Sequence, residues 1–149
     1  MNTPLRLVCA TPFIALFVAL GLPSSALLGQ SLSGAASAFA DRWRAGEVSM
    51  LTESFSRGGV RLQWETRQLG SLDAGRAVAS IREYLGNRES VATGVVRVEE
   101  VGGDPPKGYA EIRWESRMRG TSDVLARTLF VAFVSEEGGW RVTELRVMP

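Results

Sequence analysis

The chain has 149 residues, 45% of them hydrophobic, with 17 basic against 16 acidic side chains and no histidine. That length holds one domain with a real core, and the balanced charge argues against a nucleic-acid or polybasic membrane surface. The missing histidine removes the commonest general base and metal ligand, and the single cysteine, Cys9, removes any disulfide framework or Cys-based zinc site.

Residues 1–26 have the parts of a secretory signal: Arg6, an uncharged apolar run from Leu7 to Leu22, and Pro23-Ser24-Ser25-Ala26 with small residues placed for cleavage after Ala26. The run of about 16 residues contains Pro12 and falls short of the ~20 that a spanning helix needs. A periplasmic or secreted location follows, and membrane attachment only if the leader stays uncleaved, as in an anchored scaffold. Loss of Arg6 and Cys9 with the leader leaves 16 basic and 16 acidic residues and no thiol. Lys107 is the only lysine, a bias that reflects GC-rich coding rather than a function.

Residues 27–33 read as a linker before a domain at 34–149, and the small polar run Ser31 to Ala36 extends that impression. Phe39 and Trp43, four apart, share one face of a first helix. Ala45-Gly46-Glu47 breaks it, since glycine costs about 1 kcal/mol in a helix interior. Val48, Leu51 and Phe55 predict a second helix ending at Gly58-Gly59. Val60, Leu62 and Trp64 alternate with polar residues in a half-buried strand, and Gly70-Ser71 reads as loop. Ala74, Val78, Ile81 and Leu85 stripe a third helix that Gly86-Asn87 stops, with Ser71 or Asp73 as its cap. Val91 to Val101 predicts a strand whose alternation slips at Val95-Val96, the mark of a bulge. After a Gly/Pro loop, Tyr109 to Met118 alternates cleanly. Leu125 to Val134 is apolar on both faces apart from Arg127 and Thr128, which predicts a central strand covered on both sides. Glu136-Glu137-Gly138-Gly139 turns the chain into a last strand, Trp140 to Val147.

This order resembles the nuclear-transport-factor-2-like superfamily, which has a cystatin-like α+β cone, N-terminal helices packed in a curved antiparallel sheet. The residues that carry it are Phe39 to Phe55 around the Ala-Gly-Glu break, the helix Ala74 to Leu85, and the closing Gly-Gly-Trp-Arg-Val-Thr-Glu-Leu-Arg-Val, together spanning about residues 34–148. Small exported bacterial members of unassigned function look most similar. The superfamily includes isomerases, dehydratases, cyclases and hydrolases beside pure binding proteins, so the resemblance implies a pocket between helices and sheet but no particular chemistry. A cyclase-type His is absent. The isomerase-type base would sit on the first strand, where Glu65 stands at the end and no Asp occurs. Asp41, Asp73, Asp104 and Asp123 occupy caps, turns or exposed helix positions.

Pocket candidates are Trp43, Trp64, Tyr84, Trp114 and Phe130, whose rings either line or fill the space, with Glu111 and Arg127 as polar groups. Glu111, Arg113, Glu115 and Arg117 share one parity and read as a solvated face with cross-strand ion pairs. Arg127 interrupts an apolar face and needs a partner, for which Glu111 or Glu115 is available. No metal or cofactor motif is present. The expectation is an exported, non-catalytic domain binding a small apolar ligand or an envelope protein, with apolar residues on both parities of strand 125–134 suggesting a homodimer. The alternative is an isomerase or lyase with Glu65 or Glu111 as base in a dry pocket.

Overall fold

Ser31 is the residue that starts the first helix: its Oγ accepts from the Gly34 N–H at 3.1 Å. In the computed structural model, which describes residues 29–149, this helix, α1, runs Leu32–Ala45. The run 32–36 is therefore helical rather than linker, because small residues at Ala35 and Ala36 let α1 lie close on the sheet and are buried. Gly46 ends α1 at φ 70, a left-handed conformation that glycine adopts without steric cost. The leader, its cleavage site and Cys9 lie outside the described residues. Among the described residues no helix is long and apolar enough to cross a membrane.

The second helix is shorter than its spacing suggests. α2 is Val48–Leu51, followed by a single 3-10 turn at Thr52–Ser54. Phe55 is extended and bridges Val142 in parallel, so its burial comes from the sheet and not from a helix face. β1 (Val60–Trp64) buries Val60, Leu62 and Trp64 as their alternation predicts. Glu65, at φ 49, turns the chain into β2 (Arg67–Leu72), a strand where the sequence reads as loop. Hairpin pairing to β1 supplies the hydrogen bonds that Gly70 and Ser71 lack locally, and a bulge between Leu62 and Gln63 absorbs the mismatch.

α3 (Ala74–Gly86) starts where Asp73 Oδ1 accepts from the Arg76 N–H at 2.9 Å, and it buries Ala77, Val78 and Ile81. β3 (Arg88–Gly102), β4 (Lys107–Met118), β5 (Val124–Glu136) and β6 (Gly139–Met148) then form an antiparallel meander. The slip at Val95-Val96 is a register shift, with Val96 thrown out to solvent.

The sheet order is β2-β1-β6-β5-β4-β3. One pair departs from the antiparallel expectation: β1 runs parallel to β6, because the chain leaves β1 for the helix and meander and returns beside it last. The result is an α+β cone, a curved six-stranded sheet with helices against one face. β5 is interior; its inner residues Leu129, Val131 and Phe133 are buried at 0 to 2% exposure, and on the other parity Val134 alone is buried, at 8%. Phe130 and Ala132, on the other face, are half-buried, and Leu125 near the strand start is 50% exposed. The expected cover on both sides is thus supplied among the described residues only at Val134.

Candidate functional site

Strand register divides the candidate residues into two groups. Cross-strand partners share a face. Trp114 pairs Thr93 and Arg127, and Ile112 pairs Val95 and Leu129, all on the helix side. Glu111 pairs Arg97 and Phe130 on the open side. Trp43, Trp64, Tyr84, Trp114 and Arg127 therefore come together inside the cone, while Glu111 and Phe130 lie across the sheet from them.

The inner group is a stack of rings. Trp43 meets Trp114 edge-on at 5.4 Å, Tyr84 tilts against Trp114 at 6.1 Å, and Trp64 stacks on Tyr84 at 4.6 Å. Trp43 and Trp114 are fully buried. The side chains pack on one another, so at this point the cone is filled by its aromatic residues. Two of the indoles find acceptors: Trp114 Nε1 donates to Ser90 Oγ at 2.9 Å and Trp64 Nε1 to Ser80 Oγ at 3.2 Å. Trp43 Nε1, the Tyr84 hydroxyl and Ser116 Oγ are buried without a partner among the described residues.

Arg127 closes this group at its outer end. Its partner is Glu65, not Glu111 or Glu115: Arg127 Nε donates to Glu65 Oε1 at 2.9 Å. Glu111 and Glu115 point to the other face, whereas the left-handed turn at Glu65 swings its carboxylate toward the inner end of β5. The Arg127 side chain is 15% exposed and that of Glu65 39%, so the pair is partly screened. Arg88 lies over the Tyr84 ring at 4.0 Å and donates to Tyr84 O at 2.6 Å. Burial pushes the Tyr84 hydroxyl above its ordinary pKa of 10.0. Arg88 and Arg127 oppose that shift, and the Glu65 carboxylate adds to it.

The open face is mixed. Tyr109 and Phe130 stack at 5.3 Å, with Arg97 over the first ring and Arg146 over the second at 5.5 and 4.3 Å. Tyr109 donates to Glu99 Oε2 at 2.8 Å, and this bond holds its hydroxyl pKa up. Arg117 grips Glu89 on the next strand through two bonds, at 3.1 and 2.9 Å. Arg113 pairs instead with Glu115 on its own strand at 3.0 Å. Beside these charges lies a groove of about 460 Å³ whose wall includes Tyr109, Phe130, Ala132, Val134, Glu144 and Arg146. No cluster of three or more acidic or thiol ligands suited to a metal occurs among the described residues.

No family model matches the chain, and no curated protein matches it. Solved structures do. A DUF4783 family protein from Bacteroides uniformis superposes with a TM-score of 0.62 at 10% identity, over 74% of this chain and 92% of that one. A protein of unknown function from Shewanella oneidensis, described as NTF-2 like, gives 0.59 at 8% identity over 78% and 95%. A protein from Catenulispora acidiphila with a ketosteroid isomerase-like fold, solved with trimethylamine, gives 0.61 at 11% identity over 80% and 87%. At such identities the likeness speaks for architecture alone. With the register and helix packing above, it shows that this chain has the nuclear-transport-factor-2-like fold.

Proposed function

We propose that this protein is an exported, non-catalytic binding module that works through the open face of its sheet, pairing there with a second copy of itself. The observation that carries the reading is the division of side chains between the two faces. The interior is packed with Trp43, Trp114, Tyr84 and Trp64, and its carboxylate Glu65 is tied to Arg127. The unsatisfied apolar surface, Phe130 and Ala132 with Tyr109, lies outside. Arg97, Arg113, Arg117 and Arg146 alternate there with Glu89, Glu99, Glu111, Glu115 and Glu144. A face carrying both signs in alternation can meet its own two-fold copy, as an isologous interface requires.

Sedimentation velocity across a concentration series tests this. A dimer that Phe130→Glu converts to a folded monomer is the expected result; a monomer at every concentration removes the reading. The mass of the protein recovered from an exporting host checks removal of residues 1–26.

A second reading has one observation in its favour. The Tyr84 hydroxyl is buried and unpartnered near Glu65 and Arg127, as a proton-transfer site of an isomerase or lyase could be. Glu111, on the open face, has no part in it. Solvent deuterium exchange into small ketones, lost in Glu65→Gln, would establish that chemistry in place of the binding role.

A further inference from the structure

Fifteen arginines lie among the described residues, and nine of them make ion pairs there. The six that make none are Arg44, Arg67, Arg82, Arg88, Arg119 and Arg141. Four of those six, Arg44, Arg82, Arg88 and Arg119, line a single cavity of about 330 Å³. It lies where the C-terminal ends of α1 and α3 meet the start of β3. A coding bias toward arginine explains how many there are. Two of them, Arg88 and Arg119, hold the end of α3, and Arg44 lies in the last turn of α1, where a cation is favoured; what a helix end does not need is four at one cavity.

The cavity is distinct from the groove on the open face, and the four guanidinium groups do not all serve the fold. Arg88 Nη1 donates to Tyr84 O and Arg119 Nε to Gly86 O, so these two cap the free carbonyls of α3 and are held in place by doing so. Each spends one of five N–H donors that way, leaving the rest of the fork. Arg44 and Arg82 make no hydrogen bond or ion pair among the described residues. Glu89 is the one carboxylate on the wall, and Arg117 already holds both of its oxygens. The wall thus carries four guanidinium groups against one carboxylate that is already held, and the helix-end carbonyls of Tyr84 and Gly86 are met by Arg88 and Arg119. Trp43, Val48 and Leu85 add an apolar part to it.

We propose that this cavity binds a small organic anion, its phosphate, sulfate or carboxylate group held by Arg44, Arg82, Arg88 and Arg119 and its apolar part against Trp43 and Leu85. Guanidinium forks match such oxyanions through paired hydrogen bonds. The volume is at the lower end of what small-molecule sites have, roughly 300–1,000 Å³.

Phenyl phosphate is the probe, measured by isothermal titration calorimetry on the purified protein, with inorganic phosphate as the anion lacking an apolar part. Phenyl phosphate should bind more tightly than phosphate. The double variant Arg44→Gln/Arg82→Gln should weaken it at least about tenfold, since each hydrogen bond to a charged group removed costs roughly that factor or more. Both side chains are exposed, so the variant should fold, which circular dichroism checks. The control Arg67→Gln/Arg141→Gln removes the same charge elsewhere and should leave affinity within about twofold by the additivity of distant sites. Co-sedimentation with phosphatidylglycerol vesicles separates a lipid headgroup from a soluble anion: vesicle binding lost in Arg44→Gln/Arg82→Gln assigns the headgroup, and phenyl phosphate binding without vesicle binding assigns the soluble form. No binding to either probe overturns the proposal, as does binding that survives the Arg44/Arg82 variant or falls equally in the control.

Discussion

Trp43 and Trp114 offer a controlled comparison, because both are fully buried and in edge contact, yet only one has its indole N–H satisfied. Trp→Phe at either site removes about 40 Å³, which at about 24 cal/mol per Å³ of residual cavity costs about 1 kcal/mol. At Trp114 the change also breaks the 2.9 Å bond to Ser90, worth about 1 kcal/mol more. At Trp43 it deletes a buried donor that has no acceptor, which returns about 1–3 kcal/mol of desolvation penalty. The lost transfer energy and the cavity are common to both changes, so Trp43→Phe should be more stable than Trp114→Phe by about 2–4 kcal/mol. Urea unfolding followed by far-ultraviolet circular dichroism reads the difference. With a slope of about 2 kcal/mol per molar, the two midpoints should differ by about 1 M or more at unchanged slope. Equal midpoints, or a larger loss at Trp43, would refute the assignment of Trp43 Nε1 as an orphaned donor.

Tyr84 carries a pH signature. Its folded pKa is raised above 10.0, so the folded state holds the proton longer than the unfolded chain does. That contribution to stability is fully present below pH 10 and is lost as pH rises through the folded value. Tyr84→Phe should flatten the decline in urea midpoint between about pH 9 and 11; an unchanged alkaline slope would contradict this. Tyr109, raised by its bond to Glu99, gives a slope of the same sign that the variant retains. Gly108 faces the start of α1: a Cβ there would overlap Leu32 Cδ2 and come 2.8 Å from Glu99 O. Gly108→Ala should cost about 1–3 kcal/mol through overpacking, read as a lower melting temperature; a melting temperature equal to that of the parent would show that Leu32 yields freely.

Local chemistry was enough for much of the fold. The Gly46 break, a cap at Ser71 or Asp73, which the structure gives to Asp73, and the Gly86-Asn87 stop could be read because capping and left-handed turns depend on residues within a few positions. The bulge at Val95-Val96 and the clean alternation of β4 were legible for the same reason, as period-two burial leaves a local trace. β2 was not legible, since a strand containing Gly70 and Ser71 exists only through pairing with β1. Nor was the end of α2, because Phe55 is buried by Val142, far along the chain.

The candidate site shows the same division more sharply. Sequence by itself named the side chains able to fill or line the cone and removed histidine and thiol chemistry from it. Tertiary structure alone decided that Trp43, Trp64, Tyr84, Trp114 and Arg127 share the interior while Glu111 and Phe130 face outward, because inner and outer parity is fixed by which face the helices cover. It alone joined Arg127 to Glu65, and it alone gathered Arg44, Arg82, Arg88 and Arg119 at one cavity. Those four come from two helices, one strand and one turn, and hydrophobic patterning, which fixes the core, places no constraint on where cations meet.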